Sequence, residues 1–228
     1  MTSPAPGGRR ERPALPRAGV VALRVDGLSA DGDATRDSAT VTDVGFGVEA
    51  GSVVLLTPAG AGRTVVLCLT GELPRRSGRV ESGSGAARRE VDDTAWRAVL
   101  GRVPGPPETP ADTPVGTVLD ERGEAARRMA ARLGVTVDAG THVGDLDPAD
   151  GILLGVAVAL ADDPDVVAVD LRGPTRVVAH AATVLDAVRD VVDVDGRTVL
   201  VVADAGALDA AALRLVDEVV ELVPADGP

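Results

Sequence analysis

The sequence predicts a three-layer α/β domain built around a mainly parallel sheet, and three observations carry that prediction. The runs VVAVD at 166–170 and RTVLVVA at 197–203 are continuous and rich in β-branched residues. Such runs are typical of strands buried on both faces of a parallel sheet. Helix-like stretches alternate with them, which is the βαβα order of such domains. The third observation is a Gly-rich turn between a strand and a helix at 57–62.

This Gly-rich turn has the layout of a phosphate-binding loop. Residues 52–56 read as an apolar strand, residues 57–62 as the turn, and a helix is expected to open at 63–64. Backbone N–H groups in such a loop converge on an anion. Against the pattern G-x-x-x-x-G-K-[ST], positions 57–64 keep the second glycine, Gly62, and the hydroxyl residue, Thr64. Thr57 replaces the first glycine and Arg63 replaces the lysine.

Composition limits the class of protein. A length of 228 residues suits one domain, or one domain with a subdomain. The net charge of −12 argues against a nucleic-acid partner, which requires a basic face. The single cysteine, Cys68, leaves no intramolecular disulfide and fits a reducing compartment; we expect a buried structural thiol. No run approaches the ~18 apolar residues that span a bilayer, and the N-terminus lacks the apolar core of a secretory signal.

Four residue types are missing from the chain: Lys, Gln, Asn and Tyr. All 23 basic side chains are therefore arginines, and no phosphate-loop lysine or catalytic glutamine can exist here. Codon bias in a GC-rich genome favours arginine over lysine and accounts for the ratio. It does not account for total loss at positions where chemistry would hold a residue in place.

Taken in order, the first part of the chain is expected to hold a tail, an antiparallel β part and the loop. Residues 1–18 are rich in Pro, Gly and Arg without periodicity, which predicts a disordered tail. Residues 19–93 are assigned to an N-terminal β part and the phosphate-loop core. The predicted strands in this part are 20–25, 39–48 and 79–81.

The remaining residues divide into a helical insertion subdomain at 94–150 and the second half of the α/β core at 151–228. In the insertion, residues 94–105 are expected to lead from a short helical piece into another strand. An amphipathic helix follows at 117–134, with an inner face of Val118, Leu119, Ala125, Met129 and Leu133. Later elements are expected as a buried helix at 148–161, helices at 176–193 and 206–216, and a strand at 218–223.

With these motifs in place, residues 20–224 resemble the ATP-binding subunit, or nucleotide-binding domain, of ABC transporters. The resemblance rests on four anchors: VGFGVEAG followed by the loop at 44–73, PRRSGRV at 74–80, LDPADGILLGVAVALADDPD at 146–165, and the strands VVAVD and TVLVVAD. It implies a P-loop NTPase-like fold. The segment at 146–165 has the length and apolar pattern of the family's signature helix, and the two strands resemble the Walker B and switch-histidine strands.

Departures from the family's motifs imply a degenerate cassette in which most catalytic motifs are lost. Gly105 stands in place of the Q-loop glutamine, and LDPAD at 146–150 in place of LSGGQ. Leu171 stands where the family has its catalytic glutamate, and a leucine cannot accept a proton. Asp204 stands in place of the switch histidine. The two histidines, His142 and His180, are expected to have ordinary structural roles and to form no metal site.

The resemblance still supplies candidate site residues. Thr64 and Asp170 match the positions that hold Mg²⁺ in the family. Two alternatives stay open for the cofactor: the chain binds ATP with Mg²⁺ weakly, or it does not bind them. No residue is assigned a catalytic role. The candidate nucleotide-binding residues are Gly60, Ala61, Gly62, Arg63, Thr64 and Val65.

Three functional hypotheses follow from this resemblance. The first is a pseudo-ATPase with a structural or regulatory role beside an ABC permease or an active ATP-binding partner. The second is a working half of an asymmetric ATPase pair, and the third is a soluble scaffold that binds no nucleotide. The family implies a cytoplasmic location, including a peripheral one on the inner face of the cell membrane, and a homodimer or heterodimer.

Overall fold

The computed structural model describes residues 21–83, 89–90, 100–102, 109–172 and 180–225. Within these residues the chain forms two sheets. The first is antiparallel, with the strand order β2-β1-β4-β5, and it brings the N-terminal strands against the segment that follows the loop. Its strands are β1 (Val21–Ala30), β2 (Val41–Glu49), β4 (Ser77–Ser82) and β5 (Arg89–Glu90).

The second sheet is parallel throughout, with the strand order β6-β7-β8-β3-β9. Val202 at the end of β8 lies opposite Leu56 of β3 and opposite Asp170 of β7. The carboxyl ends of these three strands therefore meet at one edge, where ligands bind in open α/β sheets. The strands are β3 (Val53–Thr57), β6 (Leu100–Arg102), β7 (Val166–Asp170), β8 (Thr198–Val202) and β9 (Glu218–Glu221).

Five α-helices lie within the described residues. The third of them is capped at its start by Asp147, with proline in its first turn, and ends close to the predicted position. The helices are α1 (Ala59–Leu69), α2 (Val115–Arg132), α3 (Pro148–Leu160), α4 (Ala181–Asp195) and α5 (Ala210–Leu213). None of the described helices is long and apolar enough to cross a membrane.

The core has two parts because residues of the central strands alternate between the faces of the parallel sheet. Val53 and Leu55 of β3 pack in a cluster with α3 and α4. Val54 and Leu56 pack in a second cluster with α1 and the antiparallel sheet. The three layers that the sequence predicts are thus present: helices α3 and α4, the parallel sheet, and α1 with the antiparallel sheet.

The α/β fold class and the antiparallel β part are confirmed, with differences in detail. The predicted inner face of α2 is confirmed for Leu119, Met129 and Leu133, which pack in or against the core, but Val118 and Ala125 are only half-buried. The buried residues of the helix itself are Val115, Ala126 and Ala130. The reason for the difference is a break at Gly123, whose φ of 76° interrupts the helix and changes the face that it presents. The predicted helix at 206–216 is also shorter, since a 3₁₀ turn at Ala205–Ala207 precedes α5.

Four of the sequence predictions lie outside the described residues, wholly or in part. They are the tail at 1–18, the short helical piece that begins at 94, the segment around Gly105, and the beginning of the predicted helix at 176–193.

Candidate functional site

The loop between β3 and α1 is much shorter than the sequence predicts. Pro58 is the only residue between strand and helix, so Gly60 and Gly62 lie in the first turn of α1 rather than in an open turn. The N–H of Gly62 donates to the carbonyl of Pro58 at 3.0 Å, as in a regular helix. The helix approaches β3 closely there, because a Cβ on Gly62 would lie 3.0 Å from both the Cβ and the carbonyl oxygen of Leu56. The expected opening of the helix at 63–64 is therefore wrong by four residues.

The N-terminus of α1 is bound by a carboxylate of the chain itself. The N–H of Ala59 donates to Asp204 Oδ1 at 2.8 Å, and Asp204 lies just beyond the carboxyl end of β8. The N–H of Ala205 donates in turn to the hydroxyl of Thr57 at 3.1 Å. An anion is stabilised at this end of a helix by the free N–H groups and the helix dipole. Asp204 thus occupies part of the position where the sequence places a phosphate.

Arg63 and Asp170 form an ion pair across the carboxyl edge of the sheet, between α1 and the end of β7. Arg172 donates to the same carboxylate from the other side, from Nη2 at 3.0 Å to Oδ2 and from Nε at 3.0 Å to Oδ1. All three side chains are between 15% and 19% exposed. The Nε–H of Arg63 is buried without a hydrogen-bond partner in the described part of the chain.

Sequence reasoning missed Arg172 as a residue of this site, although its position two residues after Asp170 could have identified it. An arginine two positions after a strand-ending aspartate can fold back onto that carboxylate. The backbone N–H of Arg172 also donates to Asp170 Oδ1 at 3.0 Å. The Arg63–Asp170–Arg172 cluster therefore has one carboxylate shared between two guanidinium groups, which is an electrostatically favourable and hydrogen-bonded arrangement.

The hydroxyl of Thr64, a candidate Mg²⁺ ligand, points into the protein. The side chain is fully buried. Its Oγ1 lies within hydrogen-bond distance of two backbone carbonyl oxygens, that of Ala39 at 2.6 Å and that of Gly60 at 3.2 Å. The other candidate, Asp170, is held by the two arginines. In this arrangement the two residues do not fit a bound Mg²⁺ ion, because the Thr64 hydroxyl bonds two backbone carbonyls and the Asp170 carboxylate is engaged by two guanidinium groups. Their role as metal ligands stays a prediction.

The neighbouring candidates are packed as core residues. Ala61 and Val65 are fully buried between α1 and the sheets. Leu171 is 1% exposed and belongs to the cluster on the other face of the sheet, and its N–H donates to the carbonyl of Val202 at 2.9 Å. The position at which the resemblance places a catalytic glutamate is thus filled by a core side chain.

In the segment that resembles the signature motif, the N-terminus of α3 is also capped by a carboxylate of the chain itself. Asp147 caps α3, with Oδ1 accepting from the N–H of Ala149 at 2.9 Å.

The two histidines each lie near one aspartate. His180 Nε2 lies 3.8 Å from Asp147 Oδ2, and His142 Nδ1 lies 3.5 Å from Asp145 Oδ2. Within the described residues, no group of three His, Cys, Asp or Glu side chains is arranged to hold a metal ion.

The architecture is that of ATP-binding cassettes of ABC transporters. A nucleotide-free ATP-binding cassette from an ABC transporter matches with a TM-score of 0.72 and 15% identity, covering 89% of this chain and 87% of that one. CbiO1 from Clostridium perfringens, part of the transporter complex cbiONQ, gives 0.65 and 17%, covering 89% and 85%. A dimeric cassette in a post-hydrolysis state, bound to ADP and Pi, gives 0.61 and 16%, covering 88% and 94%.

No protein-family profile matches the sequence, and no curated protein matches it. At the identities of the structural matches the likeness establishes the fold.

Proposed function

We propose that this chain is a degenerate ABC-type cassette, a pseudo-ATPase with a structural or regulatory role beside a membrane permease or an active ATP-binding partner. The observation that carries the proposal is the self-contained charge cluster at the carboxyl edge of the sheet. Arg63, which stands in place of the phosphate-loop lysine, is already paired with Asp170, and Arg172 holds that carboxylate as well.

The charges in this cluster leave little attraction for a nucleotide. Arg172 also pairs with Asp37 at 2.9 Å, so two guanidinium groups face the carboxylates of Asp170 and Asp37 and their charges cancel. Asp204 adds a further negative charge at the N-terminus of α1. A triphosphate entering here would have to displace these carboxylates before gaining the N–H and guanidinium contacts, so we infer that nucleotide binding is weak or absent.

Hydrolysis requires groups that the chain lacks at the matching positions. Leu171 is buried in the core and cannot accept a proton from an attacking water. Asp204, in place of the switch histidine, is engaged by the N–H of Ala59. Removal of one preorganised charge-stabilising group commonly costs about 10²–10³ in rate. Loss of the base alone leaves negligible turnover at this chain's own site.

The segment that resembles the signature motif also supports a pseudo-ATPase when this chain is paired with a second cassette. In the family, serine and glycine amides of this segment hold the phosphate of the partner subunit. Here the first turn of α3 contains Pro148, which has no N–H, and its N-terminus is capped by the carboxylate of Asp147. The chain would present a negative charge to a partner's phosphate, so we do not expect it to complete an active site in trans.

The proposed partners follow from what the similar structures are described as. One is part of a transporter complex and another is a dimer. We propose a permease subunit or a second cassette as partner, a homodimer or heterodimer as the assembly, and a cytoplasmic location, either free or peripheral on the inner face of the membrane. Nucleic acid is not proposed, because the net charge is −12.

One observation favours the alternative, a working half of an asymmetric pair that binds ATP. The Nε–H of Arg63 is buried and unpaired in the described part of the chain, so the guanidinium retains a donor that an anion would satisfy. This alternative requires Arg63 to exchange Asp170 for phosphate.

Steady-state phosphate release from MgATP separates the two proposals. We expect purified wild-type protein and an Arg63→Ala variant to give the same rate as buffer with ATP alone. The wild-type chain should then be added to a candidate partner cassette, and the rate per partner compared with that of the partner alone. Turnover by the isolated wild-type chain that disappears in Arg63→Ala would refute the pseudo-ATPase proposal.

A further inference from the structure

The connection between β1 and β2 folds into a compact unit, which we call the strap and define as residues 31–40. A 3₁₀ turn at Ala34–Arg36 is capped by Asp33, whose carboxylate accepts from the N–H and the hydroxyl of Thr35 at 2.9 and 2.6 Å. The hydroxyl of Thr40 accepts from the N–H of Gly32 at 3.1 Å, which closes the base of the strap. These internal bonds make the strap a small rigid body.

The strap lies directly on the first turn of α1. The N–H of Ala39 donates to the carbonyl of Gly60 at 3.0 Å, and the carbonyl of Ala39 accepts from Thr64 Oγ1 at 2.6 Å. A Cβ built on Gly60 would lie 3.5 Å from the Cβ of Ala39. The strap therefore covers the same helix turn to which the sequence assigns phosphate binding.

Two ion pairs attach the tip of the strap to the rest of the chain. Arg172 donates from Nη1 to the carbonyl of Asp37 at 2.6 Å and to its carboxylate at 2.9 Å. Arg36 pairs with Glu72, which follows α1, at 3.2 Å. Arg172 thus joins the strap to the Arg63–Asp170–Arg172 cluster.

The two ion pairs at the tip of the strap are polar and each has an exposed partner, Asp37 or Arg36, whereas the hydroxyl that bonds Ala39 belongs to the buried Thr64. None of the ten strap residues, all of which the structure describes, is buried, and the side chain of Asp37 is 95% exposed. By contrast, the flanking residues Ala30 and Val41 are fully buried and lie opposite each other in the antiparallel sheet. Segments with few buried apolar contacts open locally at low free energy while the sheet that carries them stays folded.

We propose that the strap is a cover that opens as a unit about its ends at Ala30 and Val41 and gates access to the Arg63–Asp170–Arg172 cluster. This inference rests on the proposed function for the identity of the covered site. Opening removes Asp37 from the cluster and changes the local charge by +1, because Arg172 keeps only the carboxylate that it shares with Arg63. Any anionic ligand or acidic partner segment that reaches Arg63 must first lift the strap.

An engineered cross-link between the strap and α1 tests this gating. The 3.5 Å separation of the two Cβ positions fits a disulfide in an Ala39→Cys/Gly60→Cys variant, whereas the native Cys68 is buried. Hydrogen–deuterium exchange is measured on the oxidised and reduced forms of the full chain. We expect the amides of residues 31–40 to exchange on the order of tenfold more slowly in the oxidised form, because local opening is blocked. Equal exchange in the two forms, or failure of the disulfide to form, would overturn the proposal.

A charge variant tests the ionic attachment without a cross-link. Asp37→Ala removes the exposed ion pair with Arg172, and we expect exchange in residues 31–40 to rise about three- to fivefold while the core strands are unaffected. The matched control is Asp162→Ala, which removes a similarly exposed pair with Arg122 at 3.3 Å, away from the strap. A rise in both variants, or in neither, contradicts the role of Asp37. Exchange requires no nucleotide, so this result is independent of the ATP turnover that tests the proposed function.

Discussion

Replacing Asp170 with alanine removes the one carboxylate that holds two arginines at the carboxyl edge of the sheet. Arg63 and Arg172 are then left with like charges in a site where their side chains are 16% and 15% exposed. Removing one partner of a buried ion pair costs about 3–5 kcal/mol, because an uncompensated charge is left behind. The partial exposure of the cluster places the expected loss near the lower end, about 3 kcal/mol.

For a chain of this size, a loss of about 3 kcal/mol corresponds to a fall in Tm of about 6–12 °C. Urea unfolding followed by circular dichroism gives the free energy, and a thermal scan gives Tm. The control is Asp162→Ala, whose exposed pair with Arg122 is worth about 0–1 kcal/mol. If Asp170→Ala costs no more than this control, the cluster does not hold the site together. Changing Arg63 to leucine in the Asp170→Ala background should recover part of the loss, since it removes the guanidinium that is left without a carboxylate, whereas Arg172 keeps its ion pair with Asp37.

Three further predictions concern the loop and the strap. Asp204→Ala should lower the free energy of unfolding by about 1 kcal/mol, measured by urea unfolding, because the N–H of Ala59 loses its acceptor; an unchanged urea midpoint would contradict this. Gly62→Ala should destabilise by about 1–3 kcal/mol through overpacking against β3, whereas Gly151→Ala in α3, where an added Cβ meets nothing within 4 Å, should stabilise by about 0.5–1 kcal/mol; the same sign for both variants in a thermal scan would contradict it. Hydrogen bonds from the hydroxyl and then the N–H of Thr35 lower the pKa of Asp33. Its stabilising contribution is therefore present above the unfolded pKa of about 3.9 and lost as the pH falls through the lower folded pKa. The difference in stability between wild type and Asp33→Asn should shrink in acid, and an NMR titration midpoint at or above the unfolded value would contradict this.

The fold could be predicted from the sequence because continuous runs of β-branched residues indicate strands buried on both faces of a sheet. The β-branched runs at Val166–Asp170 and Thr198–Val202 are central strands of the parallel sheet, and both are buried over nearly their whole length. Helix α3 begins at Pro148, as the proline in its first turn predicts. Periodicity alone could not reveal the break in α2, because a positive φ at Gly123 is a tertiary outcome that the residue permits without requiring.

The candidate site is less predictable because its contacts join distant segments. The loop motif identifies Arg63 and Thr64, and the family resemblance adds Asp170. Neither shows that Arg63 and Asp170 pair with each other across 107 positions of sequence. The closed first turn of α1 and the capture of the Ala59 N–H by Asp204 depend on how β3 and β8 align. The strap on α1 depends on the antiparallel sheet. Each is a long-range contact with no local signal.

Calorimetric titration with MgATP, and with MgADP to exclude heat from hydrolysis, tests most directly the claim that the chain's own residues fill its nucleotide site. The titration compares the wild-type chain with an Arg63→Ala/Thr64→Ala variant. We expect no saturable binding tighter than a dissociation constant of about 1 mM, or about −4 kcal/mol, for either protein. Micromolar binding by the wild type that the double variant abolishes would contradict it, and would show that phosphate displaces Asp170 from Arg63.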